Sequence, residues 1–196
     1  MSKRLFDFLA AACALLILAP LMLAIALWIK CDSRGPVLFR QKRVGRGAVI
    51  FDILKFRSMS VQGKPGPLLT VGADRRITRA GGFLRRHKLD ELPQLINVLR
   101  GDMSLVGPRP EVPRYVDCYP PDVREVVLSV SPGITDWASI YYKEENSLLN
   151  RATNPEQAYL DTILPAKLKY NLRYVNERSF WNDVQIIFST LRALVR

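Results

Sequence analysis

The sequence predicts an α+β fold, mostly helical with a small β-hairpin, carried on an N-terminal re-entrant membrane helix and finished by amphipathic interfacial helices. Three observations carry this. From Leu5 to Ile29 the only charged residue is Asp7. Two short extended runs, Val37 to Gln41 and Val49 to Arg57, flank Gly45-Arg46-Gly47, which is the pattern of a hairpin. Apolar residues then recur at three- and four-residue steps in two later stretches, which is the period of a helix with one buried face.

The first stretch divides the chain into an anchor, residues 1–30, and a membrane-associated domain, residues 31–196. The apolar run exceeds the roughly 20 residues needed to cross a bilayer. It is too long for a signal peptide and lacks a small-residue cleavage site. Lys3 and Arg4 precede it, and Lys30, Arg34, Arg40, Lys42, Arg43 and Arg46 follow. Cations on both flanks favour keeping both ends on the cytoplasmic face. Pro20 removes a backbone hydrogen bond within the run, so the expectation is a helix that breaks at Ala19-Pro20 and returns. A single spanning helix with a proline kink is the alternative.

In the second hairpin run Lys55 and Arg57 share one face by the two-residue period, and two cations side by side suit a diphosphate. A solvated edge strand would show the same pattern. Residues 58–74 lack periodicity and carry Gly and Pro, as either a lid or an ordinary exposed connection does.

The most informative stretch is residues 85–110. Leu89, Leu92, Leu95, Ile96 and Leu99 form the stripe of a short helix, with Asp90 at the N-cap, Glu91 in the first turn, and Gly101 as the stop. Arg85, Arg86 and Lys88 precede the two carboxylates, and the turn Gly107-Pro108-Arg109-Pro110 follows. Ordinary capping explains the acidic pair; so does a site for metal and phosphate. Local spacing does not separate the two.

Beyond this, Pro120-Pro121 breaks a polar helical region and Ser131-Pro132-Gly133 marks a turn. Residues 143–146 form a charged stretch that can edge a pocket, and residues 156–175 read as helical. In the last segment Phe180, Val184, Ile187, Phe188, Leu191 and Leu194 share a face. That face suits a core helix, while Trp181, Arg192 and Arg196 suit an interfacial one. The chain of 196 residues is 48% apolar with a net charge of +11. Such charge points to nucleic acid, an anionic membrane or a phosphorylated substrate. No nucleic-acid motif is present, so no nucleic-acid partner is expected. Cys13, Cys31 and Cys118 are scattered and read as reduced thiols. The lone His87 excludes multi-histidine metal sites.

Lys3-Arg-Leu-Phe-Asp7, the run Pro36 to Arg43, Lys55-Phe-Arg-Ser-Met59, Leu89-Asp-Glu-Leu-Pro-Gln94, Asn97 through Pro110, and Pro132-Gly-Ile-Thr135 occur in that order. Together they resemble the bacterial sugar transferases called monotopic phosphoglycosyl transferases, over nearly the whole chain and in a minimal catalytic form. The resemblance implies transfer of a phospho-sugar from a UDP-sugar to polyprenol (undecaprenyl) phosphate at the cytoplasmic face of the bacterial inner membrane. UMP would be released, and a glycoconjugate pathway begun.

By the same resemblance Asp90 is the nucleophile, Mg²⁺ is the cofactor, and Lys55, Arg85 and Arg109 belong to the active site. Asp90 and Glu91 are read as the metal's ligands, with Glu91, about 100° around the helix, alternatively handling the acceptor phosphate. Arg57 is read as a further substrate-binding cation. Inner-membrane lipids are expected partners, and a homodimer is compatible with the pattern. A nucleophilic carboxylate has to be ionised, which Mg²⁺, Arg85 and a helix N-terminus would favour. Two departures stand out. Where many members continue with Gly-Trp-Ala-Gln-Val-Asn-Gly-Arg, this chain has Asp136-Trp-Ala-Ser-Ile-Tyr-Tyr-Lys143, which leaves Lys143 as the stand-in for the arginine. Ala19, rather than the frequent Ser, precedes Pro20. The rival readings are a membrane-anchored glycosyltransferase releasing UDP, and a non-catalytic basic membrane adaptor.

Overall fold

A computed structural model describes residues 3–60, 74, 76–143 and 145–195, with no account of the side chains of residues 146, 194 and 195. Most of the expected lid or connection, residues 61–73, lies outside the described residues. The first element, α1 (Lys3–Asp32), is 30 residues long with Pro20 inside it, or ~45 Å at 1.5 Å per residue. The expected break at Ala19-Pro20 does not divide it into two helices. A proline removes one hydrogen bond and crowds the preceding turn, and a helix can bend over that without ending.

Although α1 is apolar all round, it buries a single seam. Ala11, Ala14, Leu15 and Leu18 pack with Phe51, Ile53, Leu95 and Val98; Met22, Ile25, Ala26 and Ile29 pack with Phe56 and Leu84. The steps are three and four residues, one face of a helix. Leu16, Ile17, Leu23 and Leu27 are exposed on other faces.

Polar clamps fix both ends of α1. At its start Lys3 pairs with Asp183 at 2.6 Å, and Arg4 donates to the carbonyls of Val98 and Leu99. The buried Asp7 accepts from Ser104 Oγ at 2.8 Å and from the Leu105 amide. At its far end Asp32 accepts from the Ala80 amide at 3.0 Å. Arg57, 3% exposed, donates there to the carbonyls of Ile29, Ser33 and Arg34. Helix ends leave carbonyls without partners, and a guanidinium satisfies several at once.

The hairpin forms as expected, with a longer first strand and a shorter second: β1 (Leu38–Val44) and β2 (Ile50–Phe56) pair antiparallel, with Lys55 opposite Phe39. Helix α2 (Arg79–Arg86) is capped by Thr78 Oγ1, and α3 (Gln94–Arg100) ends at Gly101 with φ 94°. Then β3 (Ser104–Val106) pairs in parallel with β4 (Gly133–Thr135). The pair brings Gly107 and Gly133 so close that a Cβ on Gly133 would strike the Gly107 backbone. Between them lie α4 (Pro113–Val116) and α5 (Pro121–Leu128).

After β4 come α6 (Trp137–Tyr141), α7 (Glu145–Asn150), α8 (Pro155–Ala158), a π-helical turn Tyr159–Ile163, and α9 (Leu164–Glu177). Val112, Tyr115, Val116, Val127, Tyr159 and Leu168 are among the buried residues that join this half into one core. The last helix, α10 (Phe180–Val195), is two-sided. Asp183 and Ile186 are buried, whereas Trp181, Phe188 and Leu191 are exposed. Of the expected stripe, Phe180, Phe188 and Leu191 are exposed while Ile187 packs on the core, so the buried face is turned toward Asp183 and Ile186. Phe180 meets Phe6 of α1 edge-on at 5.4 Å.

Removing the Arg57 guanidinium would strand the carbonyls that end α1. Arg57→Ala is expected to destabilise the fold by about 2–4 kcal/mol, read as a lower Tm in detergent. A substrate-binding arginine would instead leave Tm unchanged and raise KM alone.

Candidate functional site

Three separate elements meet at Glu91. Lys55 arrives from β2, Glu91 from a single 3₁₀ turn, Leu89–Glu91, and Arg109 from the loop after β3. The turn is entered through Lys88 in the left-handed region, φ 56°, and Pro93 separates it from α3. Asp90 therefore does not cap a helix, contrary to the spacing argument. The helix begins only at Gln94, with Pro93 at its cap position and no capping side chain. The helix-dipole argument for an ionised Asp90 goes with it.

Lys55 Nζ donates to Glu91 Oε1 at 2.7 Å, and Arg109 takes both carboxylate oxygens, Nη1 to Oε2 at 3.1 Å and Nη2 to Oε1. This is the fork geometry in which arginine binds a carboxylate most strongly. Burial pushes the Glu91 carboxyl up, but Arg109 and Lys55 outweigh it and hold the group well below the ordinary range. Burial pulls the Lys55 ammonium down against the pull of Glu91, while Glu91 raises Arg109. The charges sum to plus one, which suits an incoming phosphate.

Asp90 next door is in the opposite condition. It is 8% exposed, and among the described residues its carboxylate makes no hydrogen bond or ion pair. Burial and the Glu91 charge push its pKa up, against Lys55, Arg85 and Lys88. Arg85, in the last turn of α2, thus acts on Asp90 through its field alone, and without a bound cation the net direction is upward. The expectation joined Arg85 with Mg²⁺ and a helix N-terminus; of these, the Arg85 field does lower the Asp90 pKa, and burial and Glu91 outweigh it.

Two sequence-read cations are not in this cluster. Arg57 follows the end of β2 at Phe56 and is spent on the α1 carbonyls, so it does not share a face with Lys55 toward substrate. Lys143 lies exposed in the turn after α6, and among the described residues no ion pair links it to Glu91.

Sequence reasoning missed a second buried network behind the first. Arg43 donates to Pro110 O at 3.0 Å and to Glu111 Oε2 at 3.4 Å. Tyr159 Oη and Lys167 Nζ donate to Glu111 Oε1, and Lys167 also reaches Glu145 at 3.1 Å. Burial raises Glu111, but Lys167, Arg43 and the Tyr159 hydroxyl outweigh it. Asp136, 1% exposed, accepts from the Ser139 amide at 2.7 Å and the Arg109 amide at 3.4 Å. The only sequence signal for these was their place beside Gly107-Pro108-Arg109-Pro110 and in the departure from the family pattern.

For a metal, the described residues offer no cluster of three His, Cys, Asp or Glu side chains. That donor set still fits Mg²⁺, which binds through one or two carboxylates and completes its shell with phosphates and water. Asp90 has its oxygens free for this, whereas Glu91 would first have to release a cation. A cleft of about 590 Å³ between Gly47, Ala48, Tyr119 and Arg124 includes none of these side chains. A small cavity of about 10 Å³ has Pro108, Arg109 and Glu111 in its wall.

The model of the family described as bacterial sugar transferase matches residues 1–196, and the chain belongs to that family. It is 40% identical over 196 residues to a UDP-N-acetylgalactosamine-undecaprenyl-phosphate N-acetylgalactosaminephosphotransferase of Aeromonas hydrophila, covering 98% of this chain and 43% of that protein. It is 43% identical to a UDP-glucose:undecaprenyl-phosphate glucose-1-phosphate transferase of Xanthomonas campestris pv. campestris, covering 96% of this chain and 38% of that protein. Against the exopolysaccharide production protein PSS of Rhizobium leguminosarum bv. phaseoli it is 38% identical, covering 96% of this chain and 92% of that one. The chain thus spans less than half the length of the first two relatives.

The neighbouring carboxylates predict opposite effects on stability. Glu91→Gln at neutral pH breaks a buried ionic cluster and should cost about 3–5 kcal/mol; Asp90→Asn relieves a buried unpaired charge and should raise Tm. Because the folded Glu91 pKa is depressed, its contribution is fully present above about pH 4.3, the unfolded value. It is lost as pH falls below that, through the folded pKa. Thermal melts of both variants across pH 3–8 check the signs.

Proposed function

From that membership we propose that the chain transfers a sugar 1-phosphate from a UDP-sugar to undecaprenyl phosphate, with Asp90 as the nucleophile. The carrying observation is the division of labour within the acidic pair. Glu91 is locked to two cations, while Asp90 is buried, unpartnered among the described residues and of raised energy as an anion. A carboxylate with free lone pairs can attack phosphorus; one held by a guanidinium fork cannot.

In the first half-reaction an Asp90 oxygen bonds to the β-phosphorus, the bond from that phosphorus to the bridging oxygen breaks, and UMP leaves with the oxygen. An aspartyl phospho-sugar results. An oxygen of the lipid phosphate then attacks the same phosphorus, the bond to Asp90 breaks, and the polyprenyl diphosphate sugar departs. Such double displacement predicts ping-pong kinetics. Lys55 and Arg109, carrying net positive charge around Glu91, hold and neutralise the diphosphate, and Arg85 offsets charge beside Asp90. Mg²⁺, held by Asp90 with Glu91 in reach, would screen the approach of anion to anion.

The anchor is proposed to enter and leave the cytoplasmic leaflet. Both ends of α1 are bonded to one body: Lys3, Arg4 and Asp7 at the start, and Ile29 through Arg34 at the end. Cations flank both ends, Lys3 and Arg4 before the apolar run and Lys30 and Arg34 after it, which favours keeping both on the cytoplasmic side. Exposed Trp181, Phe188 and Leu191 on α10 continue the α1 surface through the Phe6–Phe180 contact, which suits an interfacial helix.

Asp90→Asn is expected to lower turnover by roughly 10³-fold or more and to remove a donor-derived mass adduct from the Asp90 peptide. UMP release is scored across UDP-sugars with undecaprenyl phosphate and Mg²⁺. Release of UDP would favour a plain glycosyltransferase, and an active Asp90→Asn enzyme would remove the nucleophile assignment.

A further inference from the structure

The segment Pro108-Arg109-Pro110 has one backbone N–H, because proline has none. That single donor, on Arg109, goes to Asp136 Oδ2 at 3.4 Å. Around it the loop is already pinned to β4, Gly107 N to Thr135 O at 3.1 Å and Gly133 N to Pro108 O at 2.9 Å. Asp136 follows β4 directly, so its side chain supplies the next rung, at the arginine itself. From the other side Arg43 takes the Pro110 carbonyl.

The other oxygen of Asp136 caps α6 at the Ser139 amide, 2.7 Å away. A cap alone needs no charge, since Ser, Thr or Asn serve as well. A carboxylate 1% exposed, with no ion-pair partner among the described residues, costs stability. Asp is the side chain that presents two acceptors at once, one to each amide. Asn has one oxygen; with that on Ser139, its NH₂ would face the Arg109 N–H.

We propose that Asp136 is a positioning residue for Arg109, holding the Gly107–Pro110 loop so that the guanidinium meets the donor diphosphate. The residue that departs from the family pattern is thus tied to a residue that matches it. This inference rests on the proposed function, because it takes a nucleotide diphosphate as the ligand of Arg109.

The sign of the effect separates positioning from electrostatics. Deleting a negative charge near a phosphate-binding cation tightens anion binding on charge alone. Loss of the clamp weakens it. Asp136→Asn in the full-length enzyme is expected to raise the donor KM and the Kd for UDP, the probe measured by calorimetry with Mg²⁺, by about 10-fold. Its kcat should fall less, and Tm should stay within a few degrees because the α6 cap is retained. Asp136→Ser, which keeps only the cap, should behave alike. If either folded variant binds UDP as the wild type does or more tightly, the positioning role is overturned. A wild-type enzyme that binds UDP but releases no UMP from any donor would overturn the proposed function instead; one that binds no UDP overturns both.

Discussion

The site depends on one buried contact, the carboxylate of Glu91 between Lys55 and Arg109. These three residues come from a strand, a 3₁₀ turn and a loop that share no local sequence; apolar packing and the β3–β4 pair bring the elements together, and opposite charges in a water-poor setting join the side chains. Taking three charges out of water is costly, and the geometry offsets that cost only because the arginine fork uses both oxygens while the ammonium shares one. The arrangement leaves a surplus positive charge and an immobile acid. Its neighbour Asp90 gains its character from the same contact, since the ionised Glu91 is one of the two influences that raise its energy.

The same logic of paired and unpaired groups explains how a mostly apolar helix becomes part of a polar domain. The seam of α1 supplies contact area, but contact between apolar surfaces is non-directional and sets no register along the helix. Asp7 and Asp32 near its ends, together with Lys3, Arg4 and the guanidinium of Arg57, supply direction. Lys3 pairs with Asp183, and the other four satisfy backbone groups that would otherwise lose hydrogen bonds on burial. The apolar helix and the Glu91 cluster are thereby held in a fixed relation, because α3 and β2 pack on α1 and also flank the Glu91 turn.

Much of this was legible in the sequence, and the failures have physical causes. The hairpin announced itself through alternation around Gly45-Arg46-Gly47, and Lys55, Asp90, Glu91 and Arg109 stood in the motifs. Arg57 was misread because a two-residue period holds only while the strand lasts, and β2 stops at Phe56. Asp90 was misread as a cap because Leu89 through Leu99 looks like one stripe, whereas a left-handed Lys88 and Pro93 cut it. The parallel pair β3–β4 is three residues a side and depends on two glycines meeting, a contact with no periodic signature. Glu111, Lys167, Tyr159 and Asp136 were missed because polar residues are mostly exposed, and nothing local marks the few that are buried in pairs.

Two adjacent acids in one turn cannot both be bare and ionised in a confined space; the field of each raises the energy of the other. The chain resolves this by giving Glu91 two cations and Asp90 none that touches it among the described residues. A reactive anion then has to be made stable by what arrives: cations shared with the donor, or a divalent ion brought with its phosphates. On the proposed mechanism, the resting site is thereby kept from spending the charge of Asp90 on a salt bridge that catalysis would first have to break. It also explains why the supporting residues, Asp136 and Glu111, grip the backbone and flank of the Arg109 loop rather than Asp90. What needs holding still is the cation that must meet the phosphate, while the acid beside it is left free.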